Sequence, residues 1–294
     1  MFDRRSCDVE DKEKLALFRN RRSYWKRLLL DDDFSIDKQV MDLLWKDAIF
    51  RSLNEARKLR GKSSPGISGM NAALLNLLDR GFVDSQVMAI RRMTDRTFHD
   101  PSKSVISLPS IIDDIELHSD LVTRENYICY NGLPYDEPPF ESGTDQFHWS
   151  RMQEYFDKLS GVSSDHRSRQ DLISQDSLKR LLKKLDVCQG VRKYANKFIA
   201  HTADELSRSV LPSRDRGITL RSLDSCMKSI VSVGSYTGVV ILYEHGLGKV
   251  PTPQFNQFEN LEKAMATAED LDRLHDFWQE RAREVETWSE DLNL

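Results

Sequence analysis

The sequence lacks an apolar stretch long enough to cross a membrane, for which a helix needs about 20 consecutive apolar residues. The longest candidate, Ile230–Tyr243, is too short and is interrupted by small residues, among them Gly234 and Gly238. The first residues, MFDRRSCDVEDKEK, are charged from Asp3 onward, whereas a secretory signal needs an apolar core there. We therefore expect a soluble protein that does not bind a membrane.

Cysteine is scarce: the chain has four, Cys7, Cys129, Cys188 and Cys226, with no CxxC spacing and no regular framework. A small secreted protein that depends on disulfides would show such a framework. The scarcity favours reduced thiols and a cytoplasmic location. The same residues also fit buried side chains that act as small apolar groups.

Familiar catalytic and metal-binding motifs are missing as well. The segment HGLGK lacks the spacing of a phosphate-binding loop, and the sequence contains no GxSxG. Several histidines fall in separate segments, without the paired spacing of metal ligands: His99, His118, His148 and His166. We predict neither a metal nor any other cofactor.

Neither sign of charge dominates, because 43 basic and 47 acidic residues give a formal net charge of −4. A balance this even produces no overall attraction to nucleic acids or anionic surfaces. Any binding of RNA would therefore depend on a local group of cations.

Strand-like alternation and internal repeats are also missing. Only Val239–Tyr243 has a run of β-branched residues, and it fits a buried helix equally well. Apolar residues instead recur every three or four positions, as in Lys12–Leu30 and in Ile36–Arg60, which Ser35 can cap. We predict an all-α protein. The further predicted helices are Met70–Asp79, Asp84–Arg96, Pro109–Glu116, Asp145–Leu159, Gln170–Asp186, Gln189–Arg208, Thr219–Glu244, Asn256–Ala266 and Thr267–Trp288.

The clearest break in the helical pattern is Tyr130–Gly143, YNGLPYDEPPFESG, which contains three prolines and two glycines. That composition excludes regular structure. The segment is either a surface loop over a functional site or a linker. Further along, Gly246 and Gly248 are placed to end the apolar helix before them. We divide the chain into a helical domain, 1–245, and a C-terminal helical extension, 246–294.

One segment suggests a chemistry: VRKYANKFIAHTADE, residues 191–205. On a helix, Lys197 and His201 would lie on one face, one turn apart. A cation at that distance lowers the pKa of an imidazole, and a neutral imidazole can act as a general base and then as an acid. The alternative is that His201 is hydrogen-bonded inside a bundle and that Asn196 is an ordinary polar helix residue.

At this segment the sequence resembles the HEPN superfamily, in particular its abortive-infection, AbiU-like branch. Tyr194–Asp204 is similar to that branch's run of Tyr-Arg-Asn-Lys, two apolar residues, Ala-His, two variable residues and Asp, with Ala195 in place of Arg. Phe82–Arg96 resembles the helix of the family that carries an Arg-Arg pair, and Leu43–Leu53 is a weaker match. The resemblance extends over about residues 10–245.

The resemblance implies an antiparallel helical bundle that forms a homodimer. It implies a metal-independent RNase of anti-phage defence or of a toxin–antitoxin pair, with RNA and an antitoxin or another protein as partners. A ribose 2′-hydroxyl would attack the neighbouring phosphate while His201 moves the proton and Asn196 and Lys197 assist. The residues that would bind RNA are Arg91, Arg92 and Arg192.

Ala195 departs from the pattern, because alanine cannot bind a phosphate as arginine does. On a straight helix Arg192 would lie about 180° from His201, so Lys197 or the Arg91–Arg92 pair would have to supply the charge. Catalysis is then weakened or lost, and the alternative function is a non-catalytic scaffold that dimerises and binds a protein or RNA. Two alternatives also stay open. Arg91 and Arg92 lie on a solvated face or form a structural pair with Asp95, or the chain is an unrelated helical regulator that matches the motif by chance.

Overall fold

Helices make up the regular structure of the chain. The computed structural model describes residues 8–63, 71–96, 105–136, 143–200, 203–213, 216–250, 252–261, 263 and 267–287. Among those residues there is no β-strand, only one isolated antiparallel bridge between Thr123 and Leu172. The all-α prediction is confirmed. The helices are α1 (Lys12–Lys26), α2 (Ile36–Ser63), α3 (Ala72–Thr94), α4 (Leu108–Leu117), α5 (Arg124–Cys129), α6 (Gly143–Ser160), α7 (Gln175–Lys184), α8 (Gln189–Tyr194), α9 (Glu205–Ser209), α10 (Leu220–Tyr236) and α11 (Leu271–Thr287).

Three of these helices continue into a π-helical turn: α1 into Arg27–Asp31, α8 into Ala195–Ile199 and α10 into Thr237–Ile241. In the second of them the N–H of Ala200 donates to the carbonyl of Ala195, five residues earlier, at 2.8 Å. Such turns are rare in proteins and are frequent at functional sites. The one after α8 lies in the segment that resembles the HEPN motif.

The chain divides into two compact units, Met1–Pro251 and Thr252–Leu294. The first is a helical bundle around a hydrophobic core. Side chains from five helices in this core are completely buried: Trp25, Ile90, Ile111, Phe156 and Ile230. None of the described helices has the length and apolar character needed to cross a membrane.

The second unit contains α11, as predicted for Thr267–Trp288. The helix predicted at Asn256–Ala266 is wrong for its described part, because residues 256–261 form turns. The side chain of Asn256 accepts a hydrogen bond from the N–H of Phe258 at 3.1 Å. An asparagine that bonds its own backbone in this way competes with helix formation.

Helix α3 is continuous where the sequence predicted two helices, Met70–Asp79 and Asp84–Arg96. Gly81, between them, lies inside α3. A glycine in a helix costs about 1 kcal/mol relative to alanine. The side chains of Phe82 and Ile90 are buried in the bundle core, and their burial outweighs that cost.

Helix α7 begins at Gln175, later than the start of the predicted helix Gln170–Asp186. The residues before it are held by another part of the chain, since the N–H of Ile173 donates to the carbonyl of Val122 at 3.1 Å. This tertiary pairing leaves their backbone groups unavailable for a helix.

No pattern in the sequence predicted α5, whose six residues are all buried. A helix buried on every side lacks the polar face that marks an amphipathic helix. Its first residue, Arg124, is completely buried. The guanidinium donates to Asp157 at 2.7 Å and to Asp171 at 2.8 Å, which ties α5 to α6 and to the segment before α7.

The small residues of α10 and its π turn allow the segment that follows them to fold back and pack closely against the helix. A Cβ atom at Gly238 would lie 2.5 Å from the carbonyl oxygen of His245, so only glycine fits there. The hydroxyl of Ser235 bonds both the N–H and the carbonyl of Leu247 at 3.0 Å. These small residues therefore accommodate the chain segment that follows the helix.

Candidate functional site

The motif segment is not the continuous helix predicted over Gln189–Arg208. Helix α8 and its π turn end at Ile199, and α9 begins separately at Glu205. Asp204 caps α9, because its carboxylate accepts from the N–H of Ser207 at 2.7 Å. An N-cap of this kind marks the start of a separate helix. The prediction of one helix is therefore wrong.

His201, the central residue of the predicted chemistry, lies outside the described residues. Its proposed neutral, catalytic imidazole therefore stays a prediction. Lys197 is described, and its ammonium group donates to the hydroxyl of Ser207 at 2.5 Å. This bond holds Lys197 against α9 rather than in the cavity that Arg91, Arg192 and Asn196 share.

That cavity has a volume of about 220 Å³ and lies between the end of α3 and α8. We name it the cationic groove and define it by its lining residues: Arg91, Asp95, Gln189, Arg192, Lys193 and Asn196. Three of these side chains are cations and one is a carboxylate. The structure thus brings together Arg91, Arg192 and Asn196 from the predicted set. Arg92 and Lys197 are not among the lining residues.

Arg192 is held in the groove by the end of α3. Its Nη1 atom donates to the carbonyl of Thr94, the last residue of that helix, at 2.9 Å. Carbonyl groups in the last turn of a helix have no partner within the helix, and a cation there also interacts favourably with the helix dipole. The guanidinium is therefore oriented before any ligand binds.

The guanidinium of Arg91 makes no hydrogen bond or ion pair with any residue that the structure describes, and the same is true of the guanidinium of Arg92. The alternative pairing of Arg91 with Asp95 is thus not formed. The carboxylate of Asp95 accepts from the N–H of Arg96 at 3.1 Å instead. Arg91 is half-buried in the groove wall, whereas Arg92 is exposed. The Arg91 guanidinium is available to an anion.

Ala195 is completely buried. The position that carries arginine in the HEPN run therefore faces the core of this chain and not the groove. An arginine placed there without movement of the backbone would overpack the core and bury an unpaired charge. An Ala195→Arg substitution, which would supply the arginine of the HEPN run, therefore does not suit this backbone.

Two residues of the groove were missed in the sequence, Gln189 and Lys193. Gln189 lies four residues before Lys193, and Arg192 lies four residues before Asn196, so these pairs form two adjacent rows on α8 and its π turn. This four-residue spacing is the sequence signal from which Gln189 and Lys193 could have been predicted to lie beside Arg192 and Asn196. Over the same described part of the chain, no three side chains of His, Cys, Asp or Glu are grouped as metal ligands.

Comparisons with protein-family models, with curated proteins and with solved structures found no match for this chain. The fold and the groove define a class: an all-α helical bundle that carries a cationic groove between two of its helices.

Proposed function

We propose that this chain is a HEPN-like RNA-binding protein and that its cationic groove holds the phosphate backbone of RNA. The observation that carries the proposal is the convergence of Arg91 with Arg192 and Lys193 around one cavity. Contacts between cations and phosphates supply most of the affinity that does not depend on nucleic-acid sequence.

The donors in the groove suit a phosphate. Arg192 uses one guanidinium nitrogen on Thr94, so its other N–H groups are available to a ligand. The Arg91 fork can bind two phosphate oxygens at once. The amide of Asn196, exposed at the rim of the groove, adds a neutral donor.

Cleavage of the bound RNA is the catalytic part of the proposal. His201 would take the proton of the 2′-hydroxyl as its oxygen attacks the neighbouring phosphorus, and Asn196 would assist from the groove. The P–O5′ bond would break, which leaves a 2′,3′-cyclic phosphate, and the departing 5′-oxygen would take up a proton. Two observations favour weakened or lost cleavage: Ala195 is buried, and the ammonium of Lys197 is bonded to Ser207. Homodimerisation and an antitoxin or other protein partner rest on the HEPN resemblance and belong to the same proposal.

Binding is tested with a fluorescently labelled single-stranded RNA, by anisotropy at several salt concentrations. We expect Arg91→Ala to lower the affinity and to make the slope of log affinity against log salt shallower by about 0.7, the effect of one lost phosphate contact. The matched control is Arg92→Ala, which removes a neighbouring cation outside the groove. Unchanged affinity and slope for Arg91→Ala would overturn the proposed site.

Cleavage of tRNA and mRNA is measured in the presence of EDTA. The protein of natural sequence is compared with the His201→Ala variant. Cleavage by the natural sequence and its loss in the variant would support the catalytic role. Equal cleavage by both proteins would remove His201 from the mechanism. Tight binding without cleavage would favour the non-catalytic scaffold.

A further inference from the structure

A second cavity, of about 280 Å³, adjoins the cationic groove and shares Gln189 and Lys193 with it. Its remaining lining residues lie in the turn that precedes α8, in the first turn of α8, and just before and within the first turn of α10. Because two side chains line both cavities, a ligand chain can pass from one to the other along α8.

The second cavity combines apolar walls with polar groups that have no partner. Val187, half exposed, and Ile218, packed on the core, supply apolar surface. Asp186 lines the cavity, and its carboxylate makes no hydrogen bond or ion pair with any described residue. The exposed side-chain amide of Gln189 is likewise unpaired within the described part of the chain.

We propose that this second cavity is a base subsite, which binds a guanine of the RNA whose backbone lies in the cationic groove. The proposal rests on the proposed function, since the groove must hold the adjoining phosphate. Val187 and Ile218 contact the faces of the base, and Asp186 and Gln189 bind its edge.

The choice of guanine follows from the donor pattern of the bases. A carboxylate offers two adjacent acceptor oxygens and no donor. Guanine presents two adjacent donors on its Watson–Crick edge, the N1–H and the 2-amino group, which match both oxygens of Asp186. Adenine, cytosine and uracil each present a donor at a single position on that edge. The amide N–H of Gln189 can donate to the guanine O6.

The test uses labelled uridine-rich RNAs that differ at one central position, which is guanine, inosine, adenine or cytosine. Inosine lacks only the 2-amino group of guanine. We expect the guanine RNA to bind at least about tenfold more tightly than the adenine or cytosine RNA, which is the scale of one bidentate base contact. The inosine RNA should lose most of this advantage.

Asp186→Asn keeps the shape of the side chain but replaces one acceptor with a donor, so it should abolish the preference for guanine. The control Asp176→Asn removes an exposed carboxylate of α7 that lines neither cavity, and it should keep the preference. Arg91→Ala should weaken all four RNAs by similar factors. Thermal unfolding checks that each variant is folded.

The outcomes separate the two proposals. Equal binding of all four RNAs, or a guanine preference that survives Asp186→Asn, would overturn the base subsite and leave the cationic groove in place. Failure of every RNA to bind would overturn both.

Discussion

The guanidinium of Arg192 and the carbonyl of Thr94 are joined by a hydrogen bond of 2.9 Å at the end of α3. This bond connects the two helices that form the cationic groove. Arg192 therefore has a structural role, as a cap on the last turn of α3, as well as its proposed role toward RNA. The two roles can be separated by measuring stability and affinity on the same variants.

We expect Arg192→Ala to lower the free energy of unfolding by about 1 kcal/mol or more, because the Thr94 carbonyl loses a charged donor. RNA affinity should fall in the same variant. Arg92→Ala serves as the control, since Arg92 is exposed and has no partner among the described residues. Urea unfolding measures the stability, and an Arg192→Ala protein as stable as the control would contradict the capping role.

Ala195→Arg should destabilise the protein and should not create RNA cleavage. The side chain of Ala195 is completely buried, so a guanidinium there would cost about 1–3 kcal/mol by overpacking, and more as an unpaired charge. Asn196→Arg is the matched control, because Asn196 is exposed at the groove. That variant should stay folded and bind RNA more tightly. A stable Ala195→Arg protein that cleaves RNA would show that the backbone rearranges to bring this position to the groove.

Arg124→Ala should lower the free energy of unfolding by about 3–5 kcal/mol, the usual cost of breaking a buried ion pair from one side. The truncation leaves Asp157 and Asp171 without the completely buried guanidinium that joins them. Arg151→Ala removes the partner of Glu154 in an exposed pair and should cost less than about 1 kcal/mol. Chemical denaturation compares the two variants, and similar losses in both would refute a special role for Arg124.

The carboxyl group of Asp157 should cause the free energy of unfolding to decrease at acidic pH. Burial raises the pKa of its carboxyl, but hydrogen bonds from Arg167 and Arg124 outweigh burial and hold the pKa below its ordinary value of 3.8. Because the pKa is lower in the folded state, this stabilisation is present above the unfolded value and is lost as pH falls through the folded one.

The measurement is the free energy of unfolding between about pH 6 and pH 2. Asp157→Asn should be less stable than the natural sequence near neutral pH and should lose less stability on acidification. The control Asp42→Asn changes a carboxyl of an exposed pair with Lys46 and should keep the natural acid profile. An Asp157→Asn profile parallel to that of the natural sequence would exclude the linkage.

The thiol of Cys188 should be unreactive in the folded protein. A hydrogen bond with the Cys226 thiol, together with burial, raises the pKa of Cys188 above its ordinary value of 9.0, and neither side chain is exposed. The thiolate is the reactive form of cysteine. Brief treatment with iodoacetamide and mass spectrometry should show labelling of Cys188 only after urea is added. Equally fast labelling without urea would contradict the burial.

Much of the helical architecture could be predicted because it depends on local signals. Helix α4 has a proline in its first turn and a serine cap at Ser107, and both can be recognised without tertiary structure. Helix α6 follows the apolar period of its segment. Boundaries were wrong where a distant partner decides them, as where Val122 holds Ile173 in a non-helical segment.

The candidate site was predicted in part. Arg91, Arg192 and Asn196 were predicted as site residues, and the structure shows that they line one cavity. Lys193 and Gln189 line the same cavity but were not predicted. The buried position of Ala195 could not be foreseen, because a π turn changes which side of the segment faces the core.

The sequence by itself determined the helical class of this protein, through its apolar period, its caps and its lack of strand patterns. Only the tertiary structure decided which cations share a cavity, because Arg91 and Arg192 lie on separate helices and meet where Thr94 ends one of them. It also decided the burial of Arg124, since no local pattern reveals that Asp157 and Asp171 will converge on one guanidinium. Periodicity is a property of neighbouring residues, whereas a site depends on distances between residues far apart in the chain.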